Sequence, residues 1–354
     1  MDWVKRKFGI RHRVDAAKRS ASSILCGVLE LRTELGTRRR KILTMLILTD
    51  ITLRGSHRPR LDNLTLSIPA GRTALVGYSG AGKTSLLNVI AGFEKPDTGR
   101  VVWNPASGEP GERLPMYWVP QNGGLWPHLT AEQHLSCVQK LANSSDEILT
   151  ALHLEHRRSA FPSEMSQGER SRLALARALA SRAHVLLMDE PLSHVDPVRK
   201  PGFWRAVQGL LDRDRISVVF SSHEPETVLR QSEHVICMED GRVVFQGTTR
   251  TLYESPPSQE LGEFLGPVNW FEASDRERFL NHVEGQSGWI TVRPERLVMV
   301  EDSSSSLELQ SVPYCGAYYE SIVKNLKTGE VRVVVHQATR SVLKSGDRIR
   351  LVAE

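Results

Sequence analysis

The chain is poor in aromatic residues and cysteines and has no long apolar run. Phe, Trp and Tyr make up 6% of its 354 residues, and its four cysteines are scattered without a Cys-x-x-Cys pair. We therefore expect neither a structural zinc site nor a disulfide framework, and we expect reduced thiols. No apolar run approaches the ~18–20 residues that span a bilayer, so any work at a membrane is expected from its surface or through a partner.

Most of the chain also lacks an excess of positive charge. Residues 1–44 contain 12 Lys and Arg against 4 Asp and Glu, whereas the remaining 310 residues contain 34 basic and 37 acidic side chains. The overall +5 therefore comes from a basic N-terminal extension of +8, and the body carries −3. A body of this charge gives no electrostatic reason to expect nucleic-acid binding.

Three interpretations of residues 1–44 remain open. In the first, translation starts at Met45 and the extension is untranslated; in the second, it is a basic surface arm or a disordered segment; in the third, it is a targeting peptide. The last is disfavoured because there is no clear apolar segment followed by a small-residue cleavage site.

From residue 45 to residue 247, short apolar runs alternate with helical patterns. Continuous apolar runs at 73–77, 184–190 and 217–223 predict buried strands, and SLLNVIAGF and ERSRLALARALASR predict helices. This alternation predicts an α/β domain with a largely parallel core sheet.

After that domain the pattern changes twice. Residues 248–285 predict a helical linker, and residues 286–354 predict a small all-β domain, an OB-like barrel, because short alternating runs are separated by turn residues. Ser303–Ser306 is predicted to be a hairpin loop between two of its strands.

The strongest motif is a glycine-rich loop between a predicted strand and a predicted helix. Residues 77–85 read GYSGAGKTS and fit the phosphate-binding pattern G-x-x-x-x-G-K-[ST]. Backbone N–H groups and the helix N-terminus would hold phosphate oxygens, Lys83 would reach the β- and γ-phosphates, and Thr84 would offer its hydroxyl to Mg²⁺. The candidate nucleotide-binding residues are Gly77, Tyr78, Ser79, Gly80, Ala81, Gly82, Lys83, Thr84 and Ser85.

A second motif, HVLLMDEP, places two carboxylates at the end of a predicted buried strand. Asp189 is predicted to hold Mg²⁺ directly or through water. Glu190 follows it and is predicted to be the general base that polarises the attacking water. Together with the glycine-rich loop, this pair predicts a site for a magnesium-bound nucleotide.

From about Met45 to the C-terminus, the chain resembles the ATPase subunits of ABC transporters. MSQGER at 165–170 stands where that family has its LSGGQ signature. Ser166 and Gly168 are retained, while Gln167 replaces a glycine and Glu169 replaces a glutamine. The resemblance implies that this turn binds the nucleotide of a second subunit.

The resemblance also implies roles for three further residues. Gln121 matches the glutamine of the Q-loop, which reaches Mg²⁺ and the attacking water. Asp196 matches the D-loop, here SHVD rather than the usual SALD, and is implied to be part of the nucleotide site. His223 matches the switch histidine, which holds the γ-phosphate and orients Glu190.

One expected residue is missing from the nucleotide site. ATPases of this family usually carry an aromatic residue after the first strand that stacks on adenine, and here no aromatic residue lies between Met45 and Tyr78. Arg54 occupies the corresponding position, so we expect its guanidinium plane to stack on the base.

The fold that the resemblance implies is a P-loop ATPase cassette with a helical signature subdomain, followed by a TOBE-type β domain. It implies an ATPase that uses ATP and Mg²⁺ and forms a head-to-tail dimer with a second copy, in which the signature of one copy completes the P-loop site of the other. The implied location is the cytoplasmic face of the inner membrane, as a peripheral subunit of permeases that an extracytoplasmic solute-binding protein supplies.

The C-terminal region is similar to that of importer ATPases for ferric iron, sulfate or spermidine and putrescine. The alternative is a soluble ABC ATPase that acts on nucleic acid or ribosomes. That class typically carries two cassettes, a long coiled coil or a basic surface, none of which this sequence suggests.

Overall fold

The computed structural model describes residues 44–104, 113–138, 145–280, 288–337 and 343–354. The basic extension lies outside these residues except for Thr44. The strands of the first domain are β1 (Thr44–Leu53), β2 (Leu61–Pro69), β3 (Arg72–Val76), β4 (Thr98–Trp103), β5 (Met116–Val119), β6 (Val185–Met188), β7 (Ser217–Ser221), β8 (His234–Glu239) and β9 (Arg242–Thr248). Its helices are α1 (Lys83–Ala91), α2 (Ala131–Ser136), α3 (Ser145–Ala151), α4 (Gln167–Ala180), α5 (Lys200–Asp214) and α6 (Pro225–Gln231).

A six-stranded sheet forms the centre of this domain, in the order β5-β6-β7-β3-β8-β9. The first five strands are parallel, and β9 pairs antiparallel with β8. All four residues of β6 are buried, as expected for a continuous apolar strand covered on both faces. The predicted α/β fold with a largely parallel core is thereby confirmed.

Two apolar cores cover the two faces of the central sheet. On one face, Leu86 and Leu87 of α1 pack with residues of a second, antiparallel sheet in the order β2-β1-β4. On the other face, Leu173 of α4 and Trp204 of α5 pack against the sheet. With both faces covered, the carboxyl edge of the parallel strands remains as the place where ligands bind in such folds.

The predicted linker contains α7 (Thr249–Glu254), α8 (Gln259–Phe264), β10 (Asn269–Phe271) and α9 (Ala273–Phe279). Its two halves pack differently. Leu261 and Phe264 of α8 pack on the core of the first domain. Phe271 and Phe279 pack in the core of the β domain, and β10 pairs with β11 (Ile290–Val292). We therefore propose that the β domain starts near Asn269, earlier than the expected residue 286.

The remaining strands form a five-stranded antiparallel sheet. They are β12 (Leu297–Glu301), β13 (Leu307–Ser311), β14 (Tyr319–Asn325), β15 (Val331–His336) and β16 (Arg348–Ala353), in the order β12-β16-β13-β14-β15. The expected C-terminal all-β region is thus present. The hairpin predicted at Ser303–Ser306 is wrong, because β16 lies between β12 and β13 and pairs with both.

None of the helices within the described ranges is both long and apolar enough to cross a membrane.

Candidate functional site

The glycine-rich loop joins β3 to α1 at the carboxyl edge of the central sheet. Gly77, Gly80 and Gly82 have φ angles of 154°, 83° and 103°, which side-chain-bearing residues rarely adopt. A Cβ at Gly77 would lie 2.3 Å from the Met238 carbonyl oxygen, and one at Gly82 would lie 2.6 Å from that of Arg60. The loop therefore keeps its shape only with glycine at these positions, and it leaves the N-terminus of α1 open to an anion.

Lys83 lies inside the turn of this loop. Its Nζ donates to the carbonyl oxygens of Gly77 at 2.7 Å and Tyr78 at 3.1 Å. Burial lowers the pKa of Lys83, while the nearby carboxylates of Glu190 and Asp189 partly oppose this shift. The ammonium group is thus held by neutral acceptors next to the place where the loop would hold phosphate.

Asp189 follows β6 and faces the loop. Its Oδ2 accepts a hydrogen bond from Thr84 Oγ1 at 2.8 Å, and its Oδ1 accepts one from Ser221 Oγ at 2.5 Å. The carboxylate is 4% exposed, so both bonds hold it in one orientation. A hydroxyl and a carboxylate oxygen side by side are the ligands that Mg²⁺ takes when phosphates and water complete its octahedron.

The described residues contain no cluster of three or more His, Cys, Asp or Glu that could hold a metal ion. The hydroxyl of Thr84 and the carboxylate of Asp189 are the donors that fit a magnesium ion arriving with a nucleotide.

Ser221 is a site residue that the sequence analysis missed. It ends β7, is fully buried, and bridges the two acids: its hydroxyl donates to Asp189 while it accepts the backbone N–H of Glu190 at 2.8 Å. The signal for it in the sequence was a polar residue at the end of the apolar run at 217–223. Its closeness to the acid pair is visible only in the structure.

Glu190 is held by the two polar residues that the resemblance had assigned to the site. Its Oε2 accepts from Gln121 Nε2 at 3.2 Å, and its Oε1 lies 3.0 Å from His223 Nδ1. Its φ angle of 50° is unusual for a residue with a side chain, and such strain is concentrated at functional sites. The structure therefore joins Gln121, Glu190 and His223 in one cluster beside Asp189.

A cavity of about 770 Å³ contains this cluster and the glycine-rich loop. Arg58, Pro59 and Arg60 line it on the side of β2, and Leu261 and Phe264 of α8 line it on another side. None of these five was expected at the site.

Arg54 is not among the described residues that line the cavity. Its backbone N–H donates to Asp97 Oδ2 at 2.7 Å, and its side chain, 84% exposed, points toward the same carboxylate. The adenine-stacking role expected of Arg54 therefore has no support in this geometry, because the loop reaches the cavity four residues later.

The signature turn lies apart from the cavity. Ser166 caps the N-terminus of α4, and a Cβ at Gly168 would lie 3.0 Å from the carbonyl oxygen of His194 in the loop that precedes Asp196. Asp196 Oδ1 accepts the N–H of Val198 at 2.9 Å at the start of α5. None of the described cavity-lining residues comes from Ser166–Glu169 or is Asp196, so these residues form a second cluster.

Comparisons with known proteins show which family the chain is similar to. The model of the family described as ABC transporter matches residues 61–193. The chain is 33% identical over 270 residues to the Fe(3+) ions import ATP-binding protein of Pseudomonas fluorescens, which covers 69% of this chain and 75% of that protein. It is 29% identical over 332 residues to the spermidine/putrescine import ATP-binding protein of Chromobacterium violaceum, which covers 85% and 90%.

A third relative is matched over a shorter region. The chain is 35% identical over 219 residues to the Fe(3+) ions import ATP-binding protein of Yersinia pestis, which covers 58% of this chain and 63% of that protein's length. Among solved structures, an ATP-binding subunit of an ABC transporter superposes with a TM-score of 0.52 at 23% identity, over 62% of this chain and 98% of that one. That likeness shows the shared fold.

Proposed function

This chain belongs to the ATP-binding proteins of ABC transporters and is an ATPase, and we propose that it supplies the energy for an importer. The observation that carries the ATP hydrolysis in this proposal is the placement of Glu190 between Gln121 and His223, at 3.2 Å and 3.0 Å, beside the glycine-rich loop. A carboxylate held from both sides next to a phosphate site can orient and deprotonate an attacking water.

Each residue of the cluster has a part in hydrolysis. Lys83 exchanges the two loop carbonyls for phosphate oxygens and neutralises charge on the β- and γ-phosphates. Glu190 takes a proton from the attacking water. Gln121 and His223 hold the Glu190 carboxylate. Ser221 fixes the position of Asp189 relative to the Glu190 backbone through its two hydrogen bonds. When bound, Mg²⁺ would be held by Thr84 and Asp189 and would neutralise phosphate charge.

A second copy of the chain is proposed to complete each site. The cavity contains one cluster, whereas Ser166, Gly168 and Asp196 form the other on a different part of the same chain. A head-to-tail dimer would place the signature of one copy against the nucleotide of its partner. ATP would then close the dimer, and hydrolysis would open it.

We further propose that the dimer works at the cytoplasmic face of the inner membrane, bound to permease subunits that a solute-binding protein supplies. Support comes from the relatives, which are named as import ATP-binding proteins for Fe(3+) ions and for spermidine and putrescine. The cargo is proposed to be a small solute of this range, an inorganic ion such as ferric iron or sulfate, or a polyamine.

The test is to trap the closed state in the native host. Tagged full-length Glu190→Gln protein would be purified with ATP from gently solubilised membranes, and its partners identified by mass spectrometry. We expect a multi-span permease that is absent from a mock purification of membranes without the tagged protein. Ribosomal or repair proteins in place of the permease would contradict the importer role, while the assignment as an ATPase would stand.

A further inference from the structure

The signature turn of this chain contains a buried carboxylate where the family has an amide. Glu169 lies in the first turn of α4, a helix of 14 residues, and is 8% exposed. Its Oε2 accepts the N–H of Ser166 at 2.8 Å, and its own N–H donates to Ser166 Oγ at 3.2 Å. Because Ser166 Oγ accepts this bond, its hydroxyl hydrogen remains available to an incoming oxygen.

The charge of Glu169 opposes the binding of a phosphate at this turn. Burial alone would raise the pKa of Glu169, but hydrogen bonds from Ser166 and Arg157 lower it to about 2, so the group is ionised at neutral pH. The N-terminus of a helix attracts anions with roughly half a unit charge, and a carboxylate in the same turn offsets that attraction. A compensating cation is therefore needed before a triphosphate can bind there.

Arg157 has the position of that cation. Its Nε donates to Glu169 Oε1 at 2.9 Å, while His156 Nε2 lies 3.7 Å from the same oxygen, beyond hydrogen-bond distance. We infer that Arg157 is a positioning residue for the nucleotide of the second copy: it neutralises Glu169, so that Ser166 and the N–H of Gly168 can receive the γ-phosphate. This inference rests on the head-to-tail dimer of the proposed function.

The experiment measures ATP-dependent association in the Glu190→Gln background by sedimentation. Arg157→Ala removes the guanidinium that hydrogen-bonds Glu169 and leaves Arg172, which interacts with Glu169 through its charge without a hydrogen bond, so we expect association to weaken by about tenfold or more. Glu169→Gln removes the repulsion and is expected to strengthen association. The double variant Arg157→Ala/Glu169→Gln is expected to return to within about threefold of the parent.

A neighbouring arginine provides the matched control. Arg158 is similarly exposed and also pairs with carboxylates, those of Glu132 and Asp146, but it does not contact Glu169. Arg158→Ala should leave association unchanged. Thermal unfolding of every variant, and ATP affinity at protein concentrations too low for dimers, show that each protein is folded and that its own P-loop site is intact.

A purely structural pair would behave differently. In that case Glu169→Gln would lower both stability and association, whereas charge compensation lowers stability and strengthens association. A double variant as defective as Arg157→Ala, or an Arg157→Ala protein that associates normally, overturns the inference alone. A Glu190→Gln parent that binds ATP but does not associate overturns the proposed dimer and, with it, this role.

Discussion

At the scale of single residues, the site depends on side chains that hold other side chains. Ser221 contacts both acids, and Gln121 and His223 hold one of them from opposite sides. Because each acid is held by the hydrogen bonds of its neighbours, the loss of one partner should change the orientation of the next. Removal of a supporting residue should therefore reduce turnover even where the acids themselves remain.

Ser221→Ala tests this dependence directly. It leaves Asp189 Oδ1 and the Glu190 N–H without their partner in a buried place, so we expect kcat to fall by about 10²-fold and stability to fall by about 1–3 kcal/mol. Steady-state ATPase kinetics and urea unfolding measure both effects. Ser232→Ala is the control, since Ser232 also makes two hydrogen bonds but lies away from the cavity; an equal loss of kcat in both variants would contradict the prediction.

The pKa of Glu169 predicts a pH dependence of stability. Its folded-state pKa of about 2 is below the ordinary value of 4.5, so its ionised form stabilises the folded protein above pH 4.5, and this contribution is lost as the pH falls toward 2. The difference in unfolding free energy between wild type and Glu169→Gln should therefore be constant near neutral pH and shrink below pH 4.5. Urea unfolding from pH 7 to pH 3.5 measures it, and a difference that does not change with pH would refute the assignment.

At the scale of elements, an ion pair connects the start of α5 to the switch loop. Lys200 is 6% exposed, and its Nζ bonds Glu224, the residue after His223. The Lys200 N–H also donates to the Asp196 carbonyl oxygen at 3.0 Å. The Asp196 loop and the histidine that contacts Glu190 are thus connected by one partly buried ion pair.

Lys200→Met should uncouple these two loops. It removes the cation of Glu224, whose side chain is 32% exposed and keeps the hydrogen bond from Thr227, so we expect a loss of about 1–3 kcal/mol in stability and a lower kcat at an unchanged KM. Calorimetry and ATPase kinetics measure the two effects. Arg213→Met breaks pairs with Glu147 and Asp214, of which Asp214 keeps its pair with Arg182, so it should cost about 1 kcal/mol or less with no change in kcat. A Lys200→Met enzyme with normal kcat would show that the pair is only structural.

Local patterns predicted the elements that hold the site, and contacts between distant segments were not predictable in the same way. The apolar runs that became β3, β6 and β7 and the glycine-rich loop are continuous in the sequence, so their periodicity and spacing could be read directly. The insertion of β16 between β12 and β13 depends on pairing over some forty residues, which no local pattern encodes. Arg54 lies beside Asp97, and these two residues are 43 positions apart in the sequence, so their contact could not be read from a local pattern either.

At the scale of the whole molecule, the buried Arg293 makes several of the contacts that connect the cassette to the β domain. Arg293 is 3% exposed, donates to the carbonyl oxygens of Tyr253, Gly266 and Pro267, and stacks on the Tyr253 ring with its Cζ 4.1 Å from the ring centroid. These contacts join the turn after β11 to α7 and to the segment after α8. The β domain is therefore fixed next to α8, the helix that lines one side of the nucleotide cavity.

Arg293→Lys should loosen this junction. A lysine ammonium group lacks the planar set of donors by which Arg293 bonds three carbonyl oxygens and stacks on the Tyr253 ring, so we expect the β domain to unfold at a lower temperature than the cassette, as a separate transition. Differential scanning calorimetry measures this. The control is Arg296→Lys, because Arg296 is half exposed and makes one contact with Glu254 at 3.3 Å; splitting in both variants would contradict the role given to Arg293.

The close approach of Gly168 to the His194 carbonyl has a consequence for how this sequence can change over generations. A methyl group at residue 168 would stand 3.0 Å from that oxygen, so one of the two loops would have to shift. Gln167 and Glu169 on either side already differ from the family pattern, which shows that the turn tolerates exchange where the backbone of another loop is not in the way. Substitution of Gly168 should therefore occur only together with substitutions that change the backbone of the loop that precedes Asp196. Residues in these two segments should then vary together among related sequences.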